Sequence, residues 1–241
     1  MRRFACGYLG VFLVFSGAAR AQDILGDVFA GKLIAPEVGL FAVYDLVDQS
    51  TGKRFLLRQA IVGEEEVTKK KQGFWVEVEL VPELGYPVIS KMLLTGPAND
   101  PGNIHRIIVV DGNKPPQEVP IPEENGDTPP ASQPTRTSLG KEKITLPDGE
   151  IECEHFVLTT ENAEAGQTEI WFNEQVRPTG IVRMISPHGE LMLRRYGKGG
   201  AEGESAVKVE PDAEQDAPRA NVTVRVEGGP RETPPPAEET P

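Results

Sequence analysis

Residues 140–196 consist of short apolar segments separated by turn signals. The runs cover 140–147, 150–158, 169–172, 180–185 and 190–196, and the turn signals among them include Asp148-Gly149, Pro178-Thr179-Gly180 and Pro187-His188-Gly189. Runs of this length, divided by turn residues, are typical of consecutive antiparallel strands. The chain therefore has to bury apolar strand faces against one another, and this part predicts a meander of strands.

The region before it has the same character. Further strands are predicted at 40–48, 88–94 and 104–111, and residues 74–81 alternate as a half-buried strand should. Ile24 to Leu33 could form one short helix, and no long helical pattern alternates with the strands. We expect about nine to eleven strands in one domain, residues 22–197, which is mainly β and antiparallel.

The N-terminus predicts export. Arg2 and Arg3 precede an apolar run from Phe4 to Phe15, and Ala19-Arg20-Ala21 places small residues where a signal peptidase reads. Cleavage is expected between Ala21 and Gln22, which gives a periplasmic or secreted protein. The apolar run is too short for a stable membrane span, which needs about 20 residues.

Composition separates two further segments from the predicted domain. Residues 112–139 contain seven prolines and are interpreted as a linker or a long loop, while residues 198–241 are acidic, rich in Pro and Gly, and predicted to be disordered. The net charge is −12, and the leader contains three arginines and no acid, so the chain after it is near −15. This balance disfavours nucleic acid as a partner.

Cys153 and His155 are the residues that could suggest a metal site. They lie two apart and hence on one strand face, but no third or fourth ligand lies nearby in the sequence. A single cysteine within a strand more often packs as a small apolar side chain. We therefore predict no metal and no cofactor.

Catalytic patterns are weak. Ser90, Ser138 and Ser186 could be combined with a histidine, but none lies in a Gly-x-Ser-x-Gly elbow. Glu77 and Glu79 would lie about 6.5–7 Å apart on one strand face, a spacing that acid–base chemistry can use. Alternating surface glutamates are the commoner explanation, so the sequence predicts no catalytic residues and no enzyme, with a hydrolase as the remote alternative.

One resemblance adds to this interpretation. The run from Gly140 to Cys153, with Ile170-Trp171-Phe172 and Pro178-Thr179-Gly180-Ile181-Val182, resembles exported bacterial envelope proteins with a LolA-like half-barrel. Tyr44 to Lys53 and Ile61 to Glu64 resemble the first half of such proteins. The resemblance implies a strongly bent antiparallel sheet around a hydrophobic cavity, and better-known members carry lipoproteins or other lipids across the periplasm.

The function expected from these observations is binding without catalysis. A lipid, an acyl chain or an envelope protein would occupy the concave face of the sheet, and the alternative is a structural or interaction subunit of an envelope complex. Tryptophan offers large apolar contact area, and alternation places its neighbours on the same face. The candidate ligand-binding residues are Trp75, Glu77, Val81 and Trp171.

Overall fold

The computed structural model describes residues 32–121, 134–159 and 166–207. These residues form eleven strands: β1 (Leu40–Asp48), β2 (Arg54–Thr68), β3 (Lys71–Pro82), β4 (Val88–Leu94), β5 (Ile104–Asp111), β6 (Gln117–Val119), β7 (Thr135–Leu146), β8 (Gly149–Thr159), β9 (Gln167–Phe172), β10 (Ile181–Ser186) and β11 (Gly189–Lys198). Two single turns of 3-10 helix, Pro101–Asn103 and Ala201–Gly203, complete the regular structure of the described ranges.

All eleven strands belong to one antiparallel sheet. Its order is β6-β5-β4-β3-β2-β1-β11-β10-β9-β8-β7, so each half of the chain is a meander of adjacent strands. Pairing of β1 with β11, from Leu40 opposite Lys198 to Asp48 opposite Gly189, joins the two halves. The strands at the two edges, β6 and β7, do not pair with each other, so the sheet is not closed into a barrel.

One face of the sheet carries the main core. The strand register aligns one apolar stripe across neighbouring strands, because directly paired residues point to the same side. We call this stripe the apolar face, and its members are 0–3 % exposed: Ala42, Tyr44, Leu46, Leu57, Val76, Val78, Leu80, Met184, Leu191 and Leu193.

The loop between β9 and β10, residues 173–180, lies against the centre of this face. Thr179 Oγ1 donates a hydrogen bond to Gln59 Oε1 of β2 (3.2 Å). Ile34 donates its backbone N–H to the carbonyl of Pro178 (2.8 Å), so the segment before β1 is attached to the same loop. Among the described residues, loops therefore contribute to covering the apolar face where a helical layer or a second sheet would in other folds.

The opposite side of the sheet, the second face, holds a buried ion pair. Arg58 of β2 contacts the carboxylate of Glu77 of β3, and its Nε donates to Glu79 at 2.8 Å. Residues 201–207, which we call the C-terminal cap, cover the pair. Ser205 Oγ (2.6 Å) and the backbone N–H of Ala206 (2.8 Å) both donate to Glu77. Arg58 in turn donates to the carbonyls of Glu202 (2.9 Å) and Glu204 (3.1 Å).

The structure confirms the mainly β, antiparallel fold and differs in two boundaries. The Pro-rich segment 112–139 contains β6 and the start of β7, so part of it belongs to the sheet. The boundary drawn at residue 198 on composition falls at the end of β11, and the cap beyond it packs on the sheet, with Val207 6 % exposed. The predicted helix of 24–33 lies outside the described residues except for its last two positions, and the tail beyond 207 also lies outside them.

Candidate functional site

Trp75 lies on the second face, where β3 alternates away from the apolar face. It is 8 % exposed, and its Nε1–H donates to Glu65 Oε2 at 3.0 Å. The cationic groups of Lys91 and Arg106 each lie 5.2 Å from the centre of its ring system, a distance at which cation–π attraction operates. The indole is thus enclosed by charged side chains of its own chain.

The structure corrects the expected placement of Glu77. Glu77 is fully buried, and Arg58, Ser205 and Ala206 satisfy its carboxylate, so it is not the surface glutamate that the alternating pattern favoured. Val81 is half-buried and pairs with Leu56 on the second face. The carboxylate of Glu77 has a structural partner set and offers no free oxygen face to a ligand.

Trp171 of β9 pairs in register with Arg183 of β10 and with His155 of β8, and it belongs to the main hydrophobic cluster. It is 4 % exposed, and its Nε1–H donates to Glu142 Oε2 at 2.7 Å. Four strands, β2, β1, β11 and β10, separate β9 from β3 in the sheet. The two tryptophans therefore do not meet in one site.

The apolar face offers a different candidate, because three polar side chains interrupt it. The hydroxyl of Tyr44 donates to the carbonyl of Ile181 at 3.2 Å, and Gln59 accepts from Thr179. Burial raises the pKa of Tyr44, against a smaller opposing effect of Thr179, so this hydroxyl stays a neutral donor. The third is Ser90 of β4. Among the described residues, its Oγ is the buried side-chain atom with no hydrogen-bond partner.

Register fixes the surroundings of Ser90. It pairs with Val78 of β3 and Val109 of β5, and Val88 and Met92 lie two positions away on the same side of β4. Ser90 is 5 % exposed, so its hydroxyl is removed from water within an apolar environment. The sequence carried a signal for this placement, since the serine occupies an apolar phase of the alternating run Val88-Ile89-Ser90-Lys91-Met92.

A groove lies beside the turn between β7 and β8. This open groove of about 250 Å³ is lined by Leu146, Ile151 and Gln175 and by Arg194, Arg195 and Tyr196 of β11. Arg194 lies 3.5 Å from Asp45, and Arg195 pairs with Glu202 at 2.9 Å. Both arginines therefore already have acidic partners, and the carboxylates of Asp148 and Glu150 at the turn also line the groove.

The described residues provide little for metal or covalent chemistry. They contain no group of three or more His, Cys, Asp and Glu side chains that could hold a metal ion. Burial, together with Glu142 and Glu152, raises the pKa of the Cys153 thiol to about 11. Since the thiolate is the nucleophilic form, Cys153 is a protonated, buried side chain at neutral pH.

Comparison with known proteins gives no family assignment: no protein-family model matches the chain, and no curated protein matches it either. In the parts of the chain that the structure describes, no helix has the length and apolar character needed to cross a membrane.

Proposed function

We propose that this protein is an exported binding protein that holds a lipid or acyl chain on the apolar face of its bent sheet. The observation that carries the proposal is the buried, unpartnered hydroxyl of Ser90 within that face. A buried hydroxyl without a partner costs about 1–3 kcal/mol. Groups that weaken a fold in this way are candidates for a role in binding.

The chemistry of the site matches an acyl ester or a fatty acid. Such a ligand combines an apolar chain with a single carbonyl group, and the Ser90 O–H can donate to that carbonyl while the chain lies along Val78, Val109 and Met92. Each buried methylene contributes about 0.8 kcal/mol, so ten of them contribute about 8 kcal/mol before the cost of association. The resemblance to LolA-like half-barrels is consistent with the same class of ligand.

The loop of residues 173–180 is the element that we expect to move. Its attachment to the central strands includes the bond from Thr179 to Gln59, and the bond from Tyr44 to Ile181 holds the first residue of β10, directly after the loop. A ligand entering from this side would displace the loop and replace its apolar contacts. The face would then be covered by the loop in the free protein and by the acyl chain in the complex.

Ser90→Ala tests the proposal, with Ser138→Ala as the matched control. Ser138 lies in β7 and is exposed, so its loss removes a hydroxyl from the edge of the sheet that is remote from β4. We expect the wild type to co-purify with extractable lipid and to bind a 16-carbon fluorescent fatty acid. Ser90→Ala should bind it about tenfold more weakly, the equivalent of one hydrogen bond of about 1.4 kcal/mol.

The same variant should not lose stability. Removing an unpartnered hydroxyl relieves a desolvation penalty, so the free energy of unfolding of ligand-free Ser90→Ala should equal or exceed that of the wild type by about 1 kcal/mol. Recovery of the wild type without lipid, together with no stabilisation by the fatty acid, would contradict the proposal. It would favour the alternative, a structural or interaction subunit of an envelope complex.

A further inference from the structure

His155 lies at one end of a stack of three flat side chains in which Trp171 is the central member. Register aligns Arg183 of β10, Trp171 of β9 and His155 of β8 in one row. The imidazole and indole rings lie 4.1 Å apart with an interplanar angle of 13°, and the Arg183 guanidinium lies 4.8 Å from the centre of the indole. Trp171 is thus enclosed by a guanidinium and an imidazole.

Both ring nitrogens of His155 face carboxylates from other strands. Nδ1 lies 3.3 Å from Glu142 of β7, and Nε2 lies 3.4 Å from Glu169 of β9. Glu142 also accepts the indole N–H of Trp171 at 2.7 Å, so one carboxylate connects three strands.

The remaining charged and titratable groups around the stack have other partners or stay neutral. Arg183 of β10 is paired with Glu190 of β11, at 2.8 Å from its Nε. Cys153, two positions before His155 on the same strand, is buried and protonated at neutral pH. The two carboxylates are therefore the groups that respond directly to the charge of His155.

We propose that His155 is a pH-dependent clamp that fastens the edge strand β7 to β8 and β9. The imidazolium donates hydrogen bonds from both nitrogens and can satisfy Glu142 and Glu169 together, whereas the neutral ring donates from one nitrogen and leaves one carboxylate facing a lone pair. Histidine as a class changes charge between about pH 5 and 8. Loss of the proton therefore loosens β7, which pairs with β8 alone in the sheet.

The clamp goes beyond ligand binding and does not depend on it. Ile144 of β7 and Cys153 of β8 belong to the main hydrophobic cluster, so loosening β7 would also loosen one end of the core.

The structure provides an internal control for detecting this change. Trp75 likewise donates its indole N–H to a glutamate, Glu65, while its ring is flanked by Lys91 and Arg106.

The test follows the two indole N–H signals of the full chain by NMR between pH 5 and 8. The sequence has two tryptophans, so each signal can be assigned by one substitution. We expect the Trp171 signal to shift along a one-proton curve that coincides with the titration of the His155 ring protons, while the Trp75 signal stays constant. His155→Gln should abolish the shift, and His105→Gln, on β5, should leave it unchanged.

Hydrogen exchange provides a second readout that a purely structural histidine would not change. After correction for intrinsic exchange, protection of the β7 amides should fall about three- to tenfold from pH 5.5 to pH 8 in the wild type, and less than twofold in His155→Gln. A Trp171 signal that does not move with pH would overturn the proposal. A shift that persists in His155→Gln would also overturn it, and the wild-type titration tests the clamp even where that variant does not fold.

Discussion

The buried ion pair beneath the C-terminal cap gives the sharpest stability prediction. Glu77→Ala removes the acceptor of Arg58, Ser205 and Ala206, and it leaves Arg58, a residue that is 7 % exposed, with Glu79 as its remaining acidic partner. Breaking a buried pair from one side costs about 3–5 kcal/mol, because the other charge stays desolvated. At about 2–4 °C per kcal/mol for a chain of this size, the melting temperature should fall by about 6–20 °C.

The assay is urea unfolding followed by circular dichroism, with a surface pair as the control. Arg136 and Glu154 form an ion pair across β7 and β8 whose side chains are 52 % and 59 % exposed. Glu154→Ala should therefore cost under about 1 kcal/mol. The double variant Arg58→Met/Glu77→Leu should recover most of the lost stability, since apolar replacement removes both buried charges. A Glu77→Ala protein within about 1 kcal/mol of the wild type would refute this description of the second face.

Two further predictions concern the cap and the turn between β1 and β2. A chain ending at Val207 should unfold at nearly the same urea concentration as the full chain. A chain ending at Gly200 should lose about 2–4 kcal/mol of unfolding free energy, because it lacks the bonds to Arg58 and Glu77. Equal unfolding midpoints for the two truncated chains would contradict the role of the cap. Burial would raise the pKa of Asp48, but hydrogen bonds from Ser50 and Thr51 outweigh it and lower that pKa. The stability that Asp48 contributes should be complete above about pH 4 and disappear as the pH falls further. In thermal unfolding, Asp48→Ala should therefore cost about 2 kcal/mol at pH 7 and less near pH 2. An equal cost at the two pH values would contradict this prediction.

Much of the fold follows from period-two alternation. The strands at 40–48, 88–94 and 104–111 were predicted with the bounds that β1, β4 and β5 have, because each is an apolar run between turn residues. β6 was missed because its three residues lie among prolines, where composition indicates a loop. The cap was missed because its bonds to Arg58 and Glu77 involve backbone groups and one small side chain, which leave no apolar pattern.

The site was less predictable, since Trp75, Glu77, Glu79 and Val81 share one phase of a strand and the sequence does not say which glutamate is buried. Register decides it: Glu77 lies opposite Ala60 and diagonal to Arg58 of β2, where Ser205 and Ala206 of the cap donate to its carboxylate. Ser90 stood in the sequence as one serine among several. Its distinction, a buried hydroxyl without a partner, depends on which strands flank β4 and exists only in the folded sheet.

Photo-crosslinking tests the proposed function most directly. The full chain would be incubated with a 16-carbon fatty acid that carries a diazirine near the carboxyl end, irradiated, digested and mapped by mass spectrometry. The proposal predicts labels on β4 and β5 around Ser90 and Val109, competed by unlabelled fatty acid and reduced in Ser90→Ala. Labels confined to exposed apolar residues such as Leu84 and Tyr86 in the turn between β3 and β4, or labelling that Ser90→Ala does not change, would contradict an acyl site on the apolar face.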